Sequence, residues 1–285
     1  MASLKDIRRR IRATKSMQQI FKAMEMVAAA KLRRAQARAQ ASSPYAAKIT
    51  QMLDHLAGAA AELDHPLFKA REVKTTALVV ITADRGFAGA YNANILRAAE
   101  QRLREGAKGS IQVVVLGRKG RDYLKRRGYP VFAVHTELPG EASLEFARTL
   151  TTELTGRFLA GEVDRVEVMY SHFVNALTRR ILTQVFLPVG SDVAAGVAKD
   201  QGTIFEPDAE TLFNELLPRY ATAKMYAAFA DALASEHSAR MVAMGSARKN
   251  AGELVDSLTL TRNRLRQAAI TREIAELVGG AEALN

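Results

Sequence analysis

The chain has 285 residues, 48% of them hydrophobic, which excludes a wholly disordered polypeptide. It has no cysteine, which excludes disulfides, thiolate metal sites and a cysteine nucleophile. Lys and Arg number 41 against 30 Asp and Glu, for a formal net charge of +11.

Residues 3–40 contain neither Pro nor Gly. Apolar residues recur there at helical spacing, from Leu4, Ile7 and Ile11 through Met17, Ile20, Met24 and Val27 to Leu32. Ser3 followed by Asp6 suits an N-cap. The spacing resumes at Ile49, Met52 and Leu53, so one helix of about 55 residues is predicted, with a kink near Pro44. Residues 1–40 hold 11 Lys and Arg against only Asp6 and Glu25. This one element therefore carries most of the charge excess. No apolar stretch follows the basic N-terminus, so a secretory signal is not expected. No apolar run approaches the roughly 18 residues that span a bilayer.

The middle of the chain has a different texture. Strands are predicted at 75–82, 111–116, 130–134, 163–173 and 181–189, all rich in β-branched residues. Helices are predicted at 92–105, 119–127 and 144–160. Such alternation implies a mainly parallel sheet with helices on its faces. Residues 190–207 read as a loop. Residues 41–220 hold 22 Lys and Arg against 21 Asp and Glu, which reads as a nearly neutral domain.

A last helix is predicted from near Asp208, bent by Pro218. Its seam of threes and fours runs through Tyr226, Phe229, Leu233, Arg240, Met244, Ala247, Ala251, Leu254, Leu258, Thr261, Leu265, Ala268 and Arg272. Gly245 and Gly252 cost helix propensity there, about 1 kcal/mol each relative to Ala. The economical arrangement packs the two terminal helices against each other, antiparallel, with the α/β domain inserted between them.

Two turns could hold an anion. Residues 82–92 (TADRGFAGAYN) join the first strand to the first inserted helix, and Gly117-Arg118-Lys119-Gly120 follows the second strand. Each is either a phosphate cradle or a tight packing turn, and neither matches G-x-G-x-x-G or a P-loop. The five histidines lie far apart with no metal-ligand spacing. No nucleophile elbow or catalytic carboxylate pair is recognisable. The basic helix interleaves its charges with an apolar seam, whereas a basic zipper keeps the two apart. A nucleotide-binding domain with a coiled-coil arm, and a nucleic-acid-binding coiled coil, are the alternatives that remain.

Three segments carry a specific resemblance. Residues 11–34 (IRATKSMQQIFKAMEMVAAAKLRR), 235–244 (SEHSARMVAM) and 266–274 (RQAAITREI) closely resemble the terminal helices of the ATP synthase gamma subunit. The Asp84-Arg85-Gly86 turn sits where that family has a similar segment, and the resemblance runs from residue 3 to residue 284. Phe87-Ala88-Gly89-Ala90 departs from the usual Leu-Cys-Gly-Gly. Arg248-Lys249-Asn250 stands where Thr-Asp-Asn is usual, and Thr261-Arg262-Asn263 where Tyr-Asn is common.

The resemblance implies a long antiparallel coiled coil of N- and C-terminal helices with an inserted Rossmann-like α/β domain. Domains are expected at 1–58, 72–195 and 208–285. It implies the central rotor shaft of an F-type, proton-translocating ATP synthase, with no catalytic site, cofactor or metal of its own. The implied partners are three alpha and three beta subunits, the epsilon subunit and the c-ring, with no nucleic acid. The implied location is peripheral, on the cytoplasmic face of a bacterial membrane. Carried over by position, Arg266, Gln267, Ile270, Thr271, Glu273, Ile274 and Leu277 would meet the alpha/beta bearing and catch. Met24, Arg33, Arg34 and Arg240 would face the beta lever. Phe205, Glu206 and Pro207 would form the foot at the c-ring and epsilon.

Overall fold

A computed structural model describes residues 3–59, 65–68, 71–107, 109–189, 206 and 208–282. Helix α1 spans Leu4–Ala59, 56 residues, and runs unbroken through Pro44. Ser3 caps it: the Asp6 amide donates to Ser3 Oγ at 3.1 Å, and Ser3 Oγ donates back to Asp6 at 2.8 Å. The last helix, α5, spans Ala209–Glu282, 74 residues, and includes Pro218. Asp208 caps it by accepting from the Thr211 amide at 2.8 Å.

Between them lie β1 (Thr76–Ile81), α2 (Tyr91–Glu105), β2 (Ile111–Leu116), α3 (Arg118–Arg126), β3 (Val131–His135), α4 (Leu144–Leu159), β4 (Arg165–Phe173) and β5 (Arg179–Leu187). The sheet order is β3-β2-β1-β4-β5. The first four strands are parallel, and β5 returns antiparallel to β4. That hairpin has no room for a crossover helix. Its turn is held by the Asn175 side chain, which accepts from the amides of Leu177 and Thr178.

Central strand β1 is wholly buried, because both sheet faces are covered. Its side chains alternate between two cores. Leu78 and Val80 join Ile95, Leu96 and Leu124 under α2 and α3. Ala77, Val79 and Ile81 join Leu150, Leu154 and Phe158 of α4, together with Ile49 and Leu53 of α1 and Phe213, Leu217 and Phe229 of α5. The sheet thus shares its core with the inner stretches of both long helices. Compactness accordingly divides the chain within those helices, into Ala29–Arg240 and a second unit made of the segments before Ala29 and after Arg240.

The second unit is a two-helix seam. Ile7, Ile11 and Val255 are buried together, with Leu258 and Leu265 against them. Gln18 lies opposite Gly252 and Glu25 opposite Gly245, so the pairing is antiparallel. Its phase differs from the one the apolar count suggests. Thr14 is buried in the seam, and Gln18 and Glu25 are half-buried. Met17, Ile20 and Val27 are instead 47, 56 and 57% exposed. On α5 the inward positions are Val255, Arg262 and Ala269, while Leu254, Thr261 and Ala268 face out. Two heptad phases share Ala251, Leu258 and Leu265 and differ by one residue at every other contact. Close approach decides between them: the two glycines leave room for the Glu25 and Gln18 side chains.

The near-neutral charge sum also conceals a polarity. Residues 97–127, which make up most of α2 and α3 on one sheet face, hold ten Lys and Arg against three Asp and Glu. The rest of residues 41–220 holds 12 Lys and Arg against 18 Asp and Glu.

Candidate functional site

The C-terminal stretch of α5 leaves its partner behind. Leu265 is the last residue packed on the Ile7–Ile11 cluster, and every residue from Ile270 to Val278 is exposed. Four large apolar side chains stand in that stretch: Ile270 (48%), Ile274 (56%), Leu277 (74%) and Val278. Arg266, Gln267, Thr271 and Glu273 are exposed beside them. The residues that the resemblance assigns to the bearing and catch therefore sit together on one exposed helical tip. The flank of the seam adds Met17, Ile20, Met26, Val27, Leu254 and Leu260, all exposed. Apolar surface on this scale marks a contact face rather than scattered exposure.

The positions that the resemblance assigns to the beta lever are not uniform. Met24 is half-buried, and Arg33 is exposed. Arg34 is exposed but lies 3.6 Å from Glu141, which also pairs with Arg38. Arg240 differs from a freely presented cation. Its side chain is 13% exposed and paired with Glu236, and it donates to the Gly86 carbonyl at 3.4 Å. Arg248, one of the departures from the family pattern, is not an idle surface charge: its Nε donates to Glu25 Oε2 at 2.8 Å across the seam. Of the foot, Glu206 is exposed, and Phe205 and Pro207 lie outside the described residues.

The second anion-turn candidate resolves as packing, and the first turn lends it Asp84. The first four amides of α3 all have protein acceptors. Arg118 N donates to Asp84 Oδ1 at 2.8 Å, Lys119 N to Ala83 O at 3.1 Å, Gly120 N to Thr82 Oγ1 at 3.0 Å and Arg121 N to Gly117 O at 3.3 Å. The Asp84 carboxylate occupies the place a phosphate would take, and its other oxygen accepts from Leu138 N at 2.7 Å. A Cβ on Gly117 would stand 2.3 Å from Thr82 O, so that glycine serves close approach to β1.

One polar cluster escaped the residue-by-residue reading. Along α5, Asp231, Ser235 and Ser238 lie on one face and bind the sheet. Asp231 accepts from Phe173 N at 2.8 Å and pairs with His172. Ser235 Oγ meets Ser171 Oγ at 2.7 Å, and Ser238 Oγ donates to Ala176 O at 2.8 Å. His237 is buried beside them. Burial, with the charges of Arg240 and Lys31, pushes its imidazole down to about 4. Burial pushes the Glu236 carboxyl up, against the pull of Arg240. The available signal was polar residues at a spacing of four and three on an otherwise apolar face, where each needs a partner.

Among the described residues, no group of His, Asp and Glu could hold a metal ion. No helix among them is long and apolar enough to cross a membrane.

A family model described as ATP synthase matches residues 3–284. The ATP synthase gamma chain of Desulforamulus reducens is 48% identical over 284 residues, covering 100% of both chains. That of Moorella thermoacetica is 46% identical over 285 residues, again with full coverage of both. Among solved structures, a chain of the Euglena gracilis mitochondrial ATP synthase (OSCP/F1/c-ring, rotational state 3) has a TM-score of 0.70 at 20% identity. The match covers 99% of this chain and 94% of that one. A chain of the Tetrahymena thermophila mitochondrial ATP synthase central stalk and c-ring has a TM-score of 0.63 at 24% identity, covering 80% and 99%. At those identities the structures speak for the fold: long terminal helices around a central mixed sheet.

Proposed function

The chain belongs to the ATP synthase gamma family, and we propose that it is the central rotor shaft of an F-type ATP synthase. Proton-driven rotation of the c-ring turns it, and its asymmetric surface presents a different face to each of three catalytic beta subunits in turn. One observation carries this reading: a seam flank and helical tip bearing large apolar side chains that no described part of their own unit covers. An enclosing bearing of alpha and beta subunits supplies that cover. An apolar tip has no fixed hydrogen bonds to break as it turns, while Arg266 and Gln267 beside it offer directional donors for an intermittent grip.

The chain itself does no phosphoryl chemistry in this reading. The closed α3 N-terminus supports that, since its amides are already bonded within the fold. Arg33 and Arg34 supply positive charge for the acidic lever of beta, and Coulomb attraction depends only weakly on angle. Arg240 is better assigned to holding the helix on the sheet than to the lever. Phe205, Glu206 and Pro207 remain the proposed foot for epsilon and the c-ring. The proposed location is the cytoplasmic face of the bacterial membrane.

Co-expression with alpha and beta tests the reading. The assembled complex should hydrolyse ATP, and the purified chain alone should not. Enzyme-like turnover by the isolated chain, or failure to co-purify with alpha and beta, would sink it.

A further inference from the structure

Residues 231–240 are the last turns of α5 within the sheet-bearing unit, which ends at Arg240. Four separate parts of the sheet unit grip this short stretch. The end of β4 supplies Ser171 to Ser235 at 2.7 Å, and the Phe173 amide and His172 to Asp231. The β4–β5 turn supplies the Ala176 carbonyl to Ser238 at 2.8 Å. The start of α2 supplies Tyr91, whose hydroxyl donates to the Ala232 carbonyl at 3.2 Å. The turn after β1 supplies the Gly86 carbonyl to Arg240. Ser171, Ser235 and Ser238 are almost completely buried, and Ala232, Ala234 and Ala239 of the same helix are buried too.

Apolar packing of small alanines resists pulling apart but offers little against sliding or turning about the helix axis. Hydrogen bonds are directional and fix both. A slip of one residue would separate all of these pairs at once and leave their groups buried without partners. The bonds also come from different directions around the helix, so a twist that relaxes one strains another.

We propose that this cluster is a latch: the joint through which the sheet body hands torque to α5, closed throughout turnover. Asp231, Ser171 and Ser235 are its positioning residues. The proposal rests on the rotor reading and adds to it a joint that keeps α5 from slipping on the sheet body under load.

The chain has no native cysteine, so Ser171→Cys with Ser235→Cys places a single thiol pair at the latch. In the isolated full chain, oxidised glutathione should oxidise the two thiols to one intramolecular disulfide. Because Ser171 and Ser235 are 2% and 0% exposed, the oxidant is present while the chain refolds from urea, and failure to form the disulfide there would overturn the latch independently of the rotor reading. In membranes carrying the whole synthase, the oxidised pair should keep ATP synthesis within about twofold of the reduced pair. Inhibition of tenfold or more that dithiothreitol reverses would mean that the latch must open, and the proposal would fail.

The opposite variant is Asp231→Ala. It should leave ATP hydrolysis by the assembled complex near wild type while protons pumped per ATP fall severalfold. Closing the disulfide in the same chain should then restore pumping. A disulfide also stabilises the fold, so the melting temperature is read alongside: pumping lost at an unchanged melting temperature and restored by the disulfide supports the latch, whereas loss that tracks a lowered melting temperature, or loss without rescue, counts against it.

Discussion

His237 shows how a single buried side chain sets a pH response. Its imidazole is held down to about 4, whereas in an unfolded chain it titrates near 6.5. Between those values the unfolded chain takes up a proton that the folded one refuses. Its contribution is therefore complete above about pH 6.5 and is lost as pH falls toward 4, by at most about 3 kcal/mol. Glu236, pushed upward by burial, works in the opposite sense. Urea unfolding of wild type and His237→Gln at pH 7 and pH 4.5 separates the two. The variant should lose less stability between those pH values, and an equal loss in both chains would refute the assignment. No sequence pattern announced this residue, because its shift comes first from burial and then from Arg240 and Lys31, and Lys31 lies on the other long helix.

Glycines distinguish the elements from one another. In the two-helix seam, a Cβ on Gly252 would meet only the Gln18 side-chain amide, at 2.9 Å. That group is the far end of a flexible chain and can move. Gly252→Ala should therefore recover helix propensity and raise stability by up to about 1 kcal/mol. Gly245 faces Glu25, which Arg248 holds in place, so the same change there should bring no gain. Gly117 is the opposite case: φ is +100° and a Cβ would stand 2.3 Å from Thr82 O. Gly117→Ala should cost more than about 2 kcal/mol and loosen α3 from β1. Thermal unfolding of the three variants would rank them, and a stable Gly117→Ala chain would contradict the close approach. Helix propensity alone counted Gly245 and Gly252 alike as costs, and only what stands across the seam separates the two.

At the level of the whole molecule, stability and assembly should separate. Residues from Ile270 onward contribute no buried side chain among those described. Truncation after Ala269 should leave the melting temperature of the isolated chain within about 2 °C. The same truncation should raise the concentration at which the chain dissociates from alpha and beta, because it removes the uncovered apolar tip. A lowered melting temperature with unchanged association would reverse that assignment. The net charge of +11 also takes a more definite form at this scale. The N-terminal helix carries much of it, and a second concentration lies at residues 97–127, offset by acidic residues elsewhere in residues 41–220.

The amino-acid sequence by itself determined the two long helices, the five strands, the inserted helices and the capping at Ser3. Each depends on periodicity, propensity or a cap within a few neighbouring residues. It also carried the family, since the helical motifs are contiguous. Tertiary structure alone decided the phase of the seam, the partners of Arg248 and Arg240, the closure of the α3 N-terminus and the latch on α5. Ser171 and Ser235 are 64 residues apart, and two seam phases fit the same apolar pattern. Only packing, which puts glycine opposite Glu25 and a strand end opposite a helix face, selects among arrangements that are locally equivalent.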